Sequence, residues 1–175
     1  VIDTTVLALA EGAGRGASRG GEPGAVFRLP RIAQSGRALR IEGPFDGIGA
    51  NSQVEIRGER LPVVAESPRS TVVSAPLDPG PARVAVNEGE RTGQGEVRIV
   101  GVAMSVGTMR LAPGETTSLD LRVSGLDGID QPLVVKLQNE SPSIVALEGG
   151  DGQRLVIDPA DADGGEAALR RTLTG

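Results

Sequence analysis

The run DPADADGG, residues 158–165, sets Asp158, Asp161 and Asp163 close together, and clustered carboxylates are the ligands a hard cation such as calcium takes. Calcium needs about six to eight oxygens, and helix–loop–helix calcium loops close on a bidentate glutamate. This run has neither the spacing of such a loop nor a glutamate at its end, so it reads as a solvated acidic turn, with Asp158, Asp161 and Asp163 kept as weak calcium candidates. Asp127 and Asp130 in GLDGID invite the same question and receive the same answer. Paired carboxylates also hydrolyse glycosides. Here the acids fall in turn sequences, and no Trp or Tyr is present to stack a sugar ring, so neither catalysis nor carbohydrate binding by stacking is expected. Asn139-Glu140-Ser141 fits the N-glycosylation pattern as a chance match, and GAGRGASRGG lacks the strand–turn–helix context of a phosphate loop and reads as a linker.

Composition narrows the chemistry further. The 175 residues contain no Cys, His, Trp or Tyr; Phe27 and Phe45 are the aromatics, and Lys136 is the one lysine. Thiolate nucleophiles, histidine bases, Ser-His-Asp triads and zinc or copper sites built on Cys or His are therefore excluded. The expectation is a protein that is not an enzyme and uses no cofactor. A net charge of −5 with no basic stripe argues against nucleic acid as a partner. No stretch approaches the roughly 20 apolar residues of a membrane span. The chain starts at Val1 without a basic segment before its apolar run, which reads as a mature terminus left by an earlier cleavage and suggests a secreted, extracellular or cell-surface protein.

The elements that would carry these residues are short strands. ALRIEG (38–43), SQVEIRG (52–58), LPVVAE (61–66), STVVSAP (70–76), PARVAVNEG (81–89) and GEVRIVGV (95–102) alternate apolar and polar residues between Gly, Pro, Asp and Asn punctuation. Period-two alternation marks half-buried strands, and the recurrence predicts an all-β sandwich or barrel. The pattern restarts near residue 101. MSVGTMRLAPGETTSLDLRVSGL predicts a strand kinked at Gly107, a turn at APGE and a long strand with Leu119, Leu121 and Val123 inward. PLVVKLQN, SIVALEGG, QRLVIDP and EAALRRTLTG follow as further strands.

LRIEGPFDGIGANSQVEIRGERLPVVAESPRSTVVSAP resembles the immunoglobulin-like domains called IPT or TIG, in its strand ending in Gly, the Phe after it, the "V.I.G" strand and the later "V.V..P" strand. The likeness covers residues 26–101. Residues 102–175 resemble a bacterial immunoglobulin-like domain through LAPGETTSLDLRVSGL and the strand order. The resemblance implies two tandem immunoglobulin-like sandwiches of the kind used as spacers, adhesin segments or accessory modules.

Such a sandwich has about seven strands, A to G. Counted from residue 102, the second domain reaches a strand F at EAALRRTLTG with nothing left for G, and is expected to be incomplete. VIDTTVLALA (1–10), rich in β-branched and aliphatic residues, lies beyond a glycine-rich linker (11–25) and is suited to be the missing strand. Its inward face would be Ile2, Thr4, Val6, Ala8 and Ala10, with Asp3 and Thr5 outward. The acceptor groove would comprise Met104, Val106, Ala167, Leu169 and Leu173. Three placements remain open: an edge strand or tail of the first domain, completion of its own second domain, or donation to a neighbour. Donation resembles the donor-strand complementation of pilus subunits and implies a homo-oligomer, a head-to-tail filament formed through N-terminal strand exchange. The alternative is a monomeric spacer, adhesin or binding module.

Overall fold

The computed structural model describes residues 2–8, 14–15, 27–45, 52–107, 110–150 and 152–175. The protein is all-β. In chain order the strands are β1 (Ile2–Ala8), β2 (Gly14–Arg15), β3 (Arg28–Leu29), β4 (Ile32–Gln34), β5 (Ala38–Glu42), β6 (Gln53–Ile56), β7 (Glu59–Leu61) and β8 (Val63–Ser67). They continue as β9 (Ser70–Ser74), β10 (Gly80–Glu88), β11 (Arg91–Val106), β12 (Thr116–Ser124), β13 (Leu133–Asn139), β14 (Ala146–Leu147), β15 (Gly152–Ile157) and β16 (Glu166–Thr174). A single 3-10 turn, Pro159–Asp161, is the helical element among the described residues, and none of these residues forms a helix long and apolar enough to cross a membrane.

The chain divides into two compact units: Glu11–Ile99, and Val100–Gly175 together with Val1–Ala10. In the first unit one antiparallel sheet runs β2-β3-β5-β9-β8, and the other runs from the start of β11 through β10 and β6 to β7, with β4 also paired to β11. Alternation sets which side chains go in. Along β10, Ala82, Val84, Val86 and Glu88 are buried while Pro81 and Arg83 are exposed. Leu39, Ile41, Val54, Ile56, Val73 and Ile99 fill the core with them.

Phe27 and Phe45 belong to this core, ring centroids 5.2 Å apart and tilted by 40°. Gly43 and Gly93 stand beside the Phe27 ring, and a Cβ on either would overlap it. The β6–β7 connection is Arg57-Gly58, both with positive φ (56° and 81°), the conformation a two-residue hairpin turn demands. Arg57 is held there by its guanidinium, which donates to the carbonyls of Pro81 at 3.2 Å and Pro79 at 3.3 Å.

Three sequence expectations change here. LPVVAE is not one strand, because Pro62, which has no N–H to give a ladder, separates β7 from β8. Within the expected linker, Gly14–Arg15 pairs with β3 as a short strand. SIVALEGG contributes only Ala146–Leu147, since Ser141 to Val145 are taken up by a turn in which Ile144 and Val145 both donate to the Ser141 carbonyl.

Among the described residues the second unit has seven strands in two sheets. The end of β11, β12, β16 and β14 form one; β1, β13 and β15 form the other. Leu119, Leu121 and Val123 of β12 and Leu133, Val135 and Leu137 of β13 are buried between them.

Candidate functional site

The residues with the strongest claim to function are those where the chain's opening strand enters the second unit. β1 pairs antiparallel with β13 of its own chain over its whole length, Ile2 opposite Asn139, Thr4 opposite Leu137, Val6 opposite Val135 and Ala8 opposite Leu133. Directly opposed residues share a face of the sheet. Ile2, Thr4 and Val6 therefore lie on the face of Leu137 and Val135, which are buried, and Thr4 is itself 5% exposed. Thr5 is exposed, whereas Asp3 is only half-buried, its carboxylate accepting the Thr4 N–H at 2.9 Å. Ala10, and the side chain of Ala8, lie outside the described residues.

The ladder partner differs from the sequence expectation. The sequence places EAALRRTLTG beside the donor strand; it forms β16, which pairs with β12 along its whole length and with β14 only at Leu173 and Thr174, and not with β1. β13 pairs with β15 on one side, and its other edge takes β1.

The five groove residues nevertheless share one face of the opposite sheet. Met104 stands opposite Leu121, which stands opposite Leu169; Val106 and Leu119 pair in the same way, as do Val123 and Ala167. Leu121, Leu119 and Val123 are buried, so this is the inner face. Leu173 is buried, Ala167 and Leu169 are half-buried, and Met104 and Val106, on the edge strand, are 39% and 40% exposed. The sheets meet through polar groups as well: Arg171 of β16 donates to Gln153 of β15 at 3.2 Å.

Among the described residues no three acidic side chains converge where they could hold a metal ion. Asp158 instead caps the 3-10 turn, accepting the Ala160 N–H at 3.0 Å, and Asp161 and Asp163 are exposed. A cavity of about 230 Å³ does bring the GLDGID loop beside this turn, lined in part by Asp127, Asp130 and Asp158. The sequon at Asn139 is engaged: the residue is 6% exposed, its amide donates to the Val145 carbonyl at 2.6 Å, and its Oδ1 accepts the Ser141 N–H at 3.0 Å.

One polar cluster went unread in the sequence. The Ser52 hydroxyl lies against carboxylate oxygens of both Glu66 and Glu88, and Glu88 is 1% exposed. The signal was there in the alternation, since Glu88 continues the inward series of Val84 and Val86.

No family model matches the chain, and no curated protein matches it. Among solved structures it is similar to SGBP-B of the Bacteroides ovatus mixed-linkage glucan utilization locus, in complex with a mixed-linkage heptasaccharide. That match has 12% identity and a TM-score of 0.34, and covers 79% of this chain and 42% of the other. A second is the Yersinia pseudotuberculosis adhesin InvE, at 13% identity and a TM-score of 0.31, covering 89% of this chain and 54% of that one. The chain thus spans about half the length of these structures.

Proposed function

We propose that this chain is a structural, non-catalytic segment of an extracellular or cell-surface protein, built as two tandem immunoglobulin-like sandwiches and serving as a spacer or adhesin-type module. The observation that carries this reading is the pairing of β1 with β13 in the second unit. In this reading β11, β12, β16 and β14 correspond to immunoglobulin strands A, B, E and D, β13 to C and β1 to F, while β15, which pairs with β13 but follows β14 in the chain, has no counterpart in that order. EAALRRTLTG is then strand E. Residues 2–8 thereby join the second unit although the whole of Glu11–Ile99 separates them from it in sequence.

The test is removal of residues 1–10, followed by thermal unfolding. The expected result is a lowered transition for the Val100–Gly175 unit with the Glu11–Ile99 unit unchanged. An unfolding profile identical to that of the full chain would overturn the proposal, as would turnover of a defined substrate by the purified protein.

A further inference from the structure

The place of β1 on β13 is separable from the chain that fills it. β1 belongs to the same unit as β13, yet the backbone between them leaves that unit at Ala10, passes through all of Glu11–Ile99 and re-enters at Val100. Every rung of the β1 ladder is made with Leu133–Asn139. Residues 2–8 of a second copy would make the same seven rungs, and would set Ile2, Thr4 and Val6 on the same inner face beside Val135 and Leu137. What distinguishes the two cases is effective concentration, the advantage a covalent tether gives to the strand of the same chain.

We infer that β13 is an acceptor edge for residues 2–8 of a second copy of this chain, so that copies join by exchanging β1. This rests on the structural reading above and names its partner. The donor is the N-terminal strand and the acceptor is a strand more than a hundred residues away, so donation from each copy to the next is a heterologous contact. Such contacts build open head-to-tail chains unless the rotation closes them. Exchange is favoured where copies are crowded, because intermolecular capture then competes with the effective concentration that the tether sets.

The absence of cysteine makes the test direct. Thr5 and Lys136 stand opposite each other in the ladder on the face away from Val135 and Leu137. The full chain carrying Thr5→Cys and Lys136→Cys is refolded dilute and concentrated, oxidised, and run on a non-reducing gel. The expected result is a cross-linked monomer when dilute and a ladder of dimers, trimers and higher species when concentrated. A cross-linked monomer at every concentration overturns exchange and leaves the structural reading intact. Dimers that extend no further overturn head-to-tail joining. No cross-link of either kind overturns the placement of β1, and with it both readings.

If the double variant folds poorly, two singly labelled pools serve instead, a donor dye on Thr5→Cys and an acceptor dye on Lys136→Cys. Energy transfer between pools refolded together, rising with concentration, supports exchange; its absence overturns it.

Discussion

Thr71 carries a hydroxyl into the first unit's core with 0% exposure, and its Oγ1 has no hydrogen-bond partner among the described residues. An unsatisfied buried hydroxyl costs about 1–3 kcal/mol. Thr71→Val keeps the shape and removes the deficit, so urea unfolding should show unchanged or higher stability, by up to about 1 kcal/mol. Gly93 lies at the opposite extreme. A Cβ there would sit 2.5 Å from Phe27 Cδ2, and Gly93→Ala should cost about 1–3 kcal/mol through overpacking. Asn139 should receive no glycan when the chain is made in a glycosylating host, because its amide already serves the Val145 carbonyl; intact mass checks this. On the surface, the hydrogen bond that Arg170 donates to the Asp120 carboxylate at 2.5 Å, and then the Asp120 charge, hold the guanidinium above its ordinary pKa. A raised pKa gives stability that is present at all lower pH and lost only as pH climbs through the raised value. Asp120→Asn should therefore leave the pH profile of unfolding near neutrality unaltered.

At the scale of elements, β1 is held by one neighbour among the named strands and carries two apolar side chains on its described inward face, Ile2 and Val6. Val6→Asp places a charge opposite buried Val135, and should lower the stability of the second unit by several kcal/mol while leaving the first unit alone. Hydrogen exchange of the Leu133–Asn139 amides would report the loss. Much of this level was readable from sequence, because period-two alternation depends only on one face being buried. Leu39 with Ile41, Val54 with Ile56 and Val84 with Val86 all declare themselves in that way. What alternation cannot disclose is pairing. EAALRRTLTG would alternate in the same way whichever strands flanked it, so neither its pairing with β12 and β14 nor that of β1 with β13 shows in the sequence. The inward face of β1 was legible for the same reason that its partner was not.

For the molecule as a whole, the division at Ile99/Val100 predicts two unfolding events in calorimetry, assignable through Val6→Asp in one unit and Gly93→Ala in the other. Of the acidic residues singled out in the sequence, Asp158 caps a turn and Asp161 and Asp163 lie at the surface. Thr4 and Leu137, adjacent in the folded sheet, are 133 positions apart in the chain. At a synthesis rate of about 5–20 residues per second, the first strand waits on the order of ten seconds for its mate to be made. Through that interval Ile2 and Val6 meet water or whatever else is nearby. Biogenesis of this protein is thus a race between an early segment and a late one, and slowing the ribosome should lower the yield of correctly closed molecules.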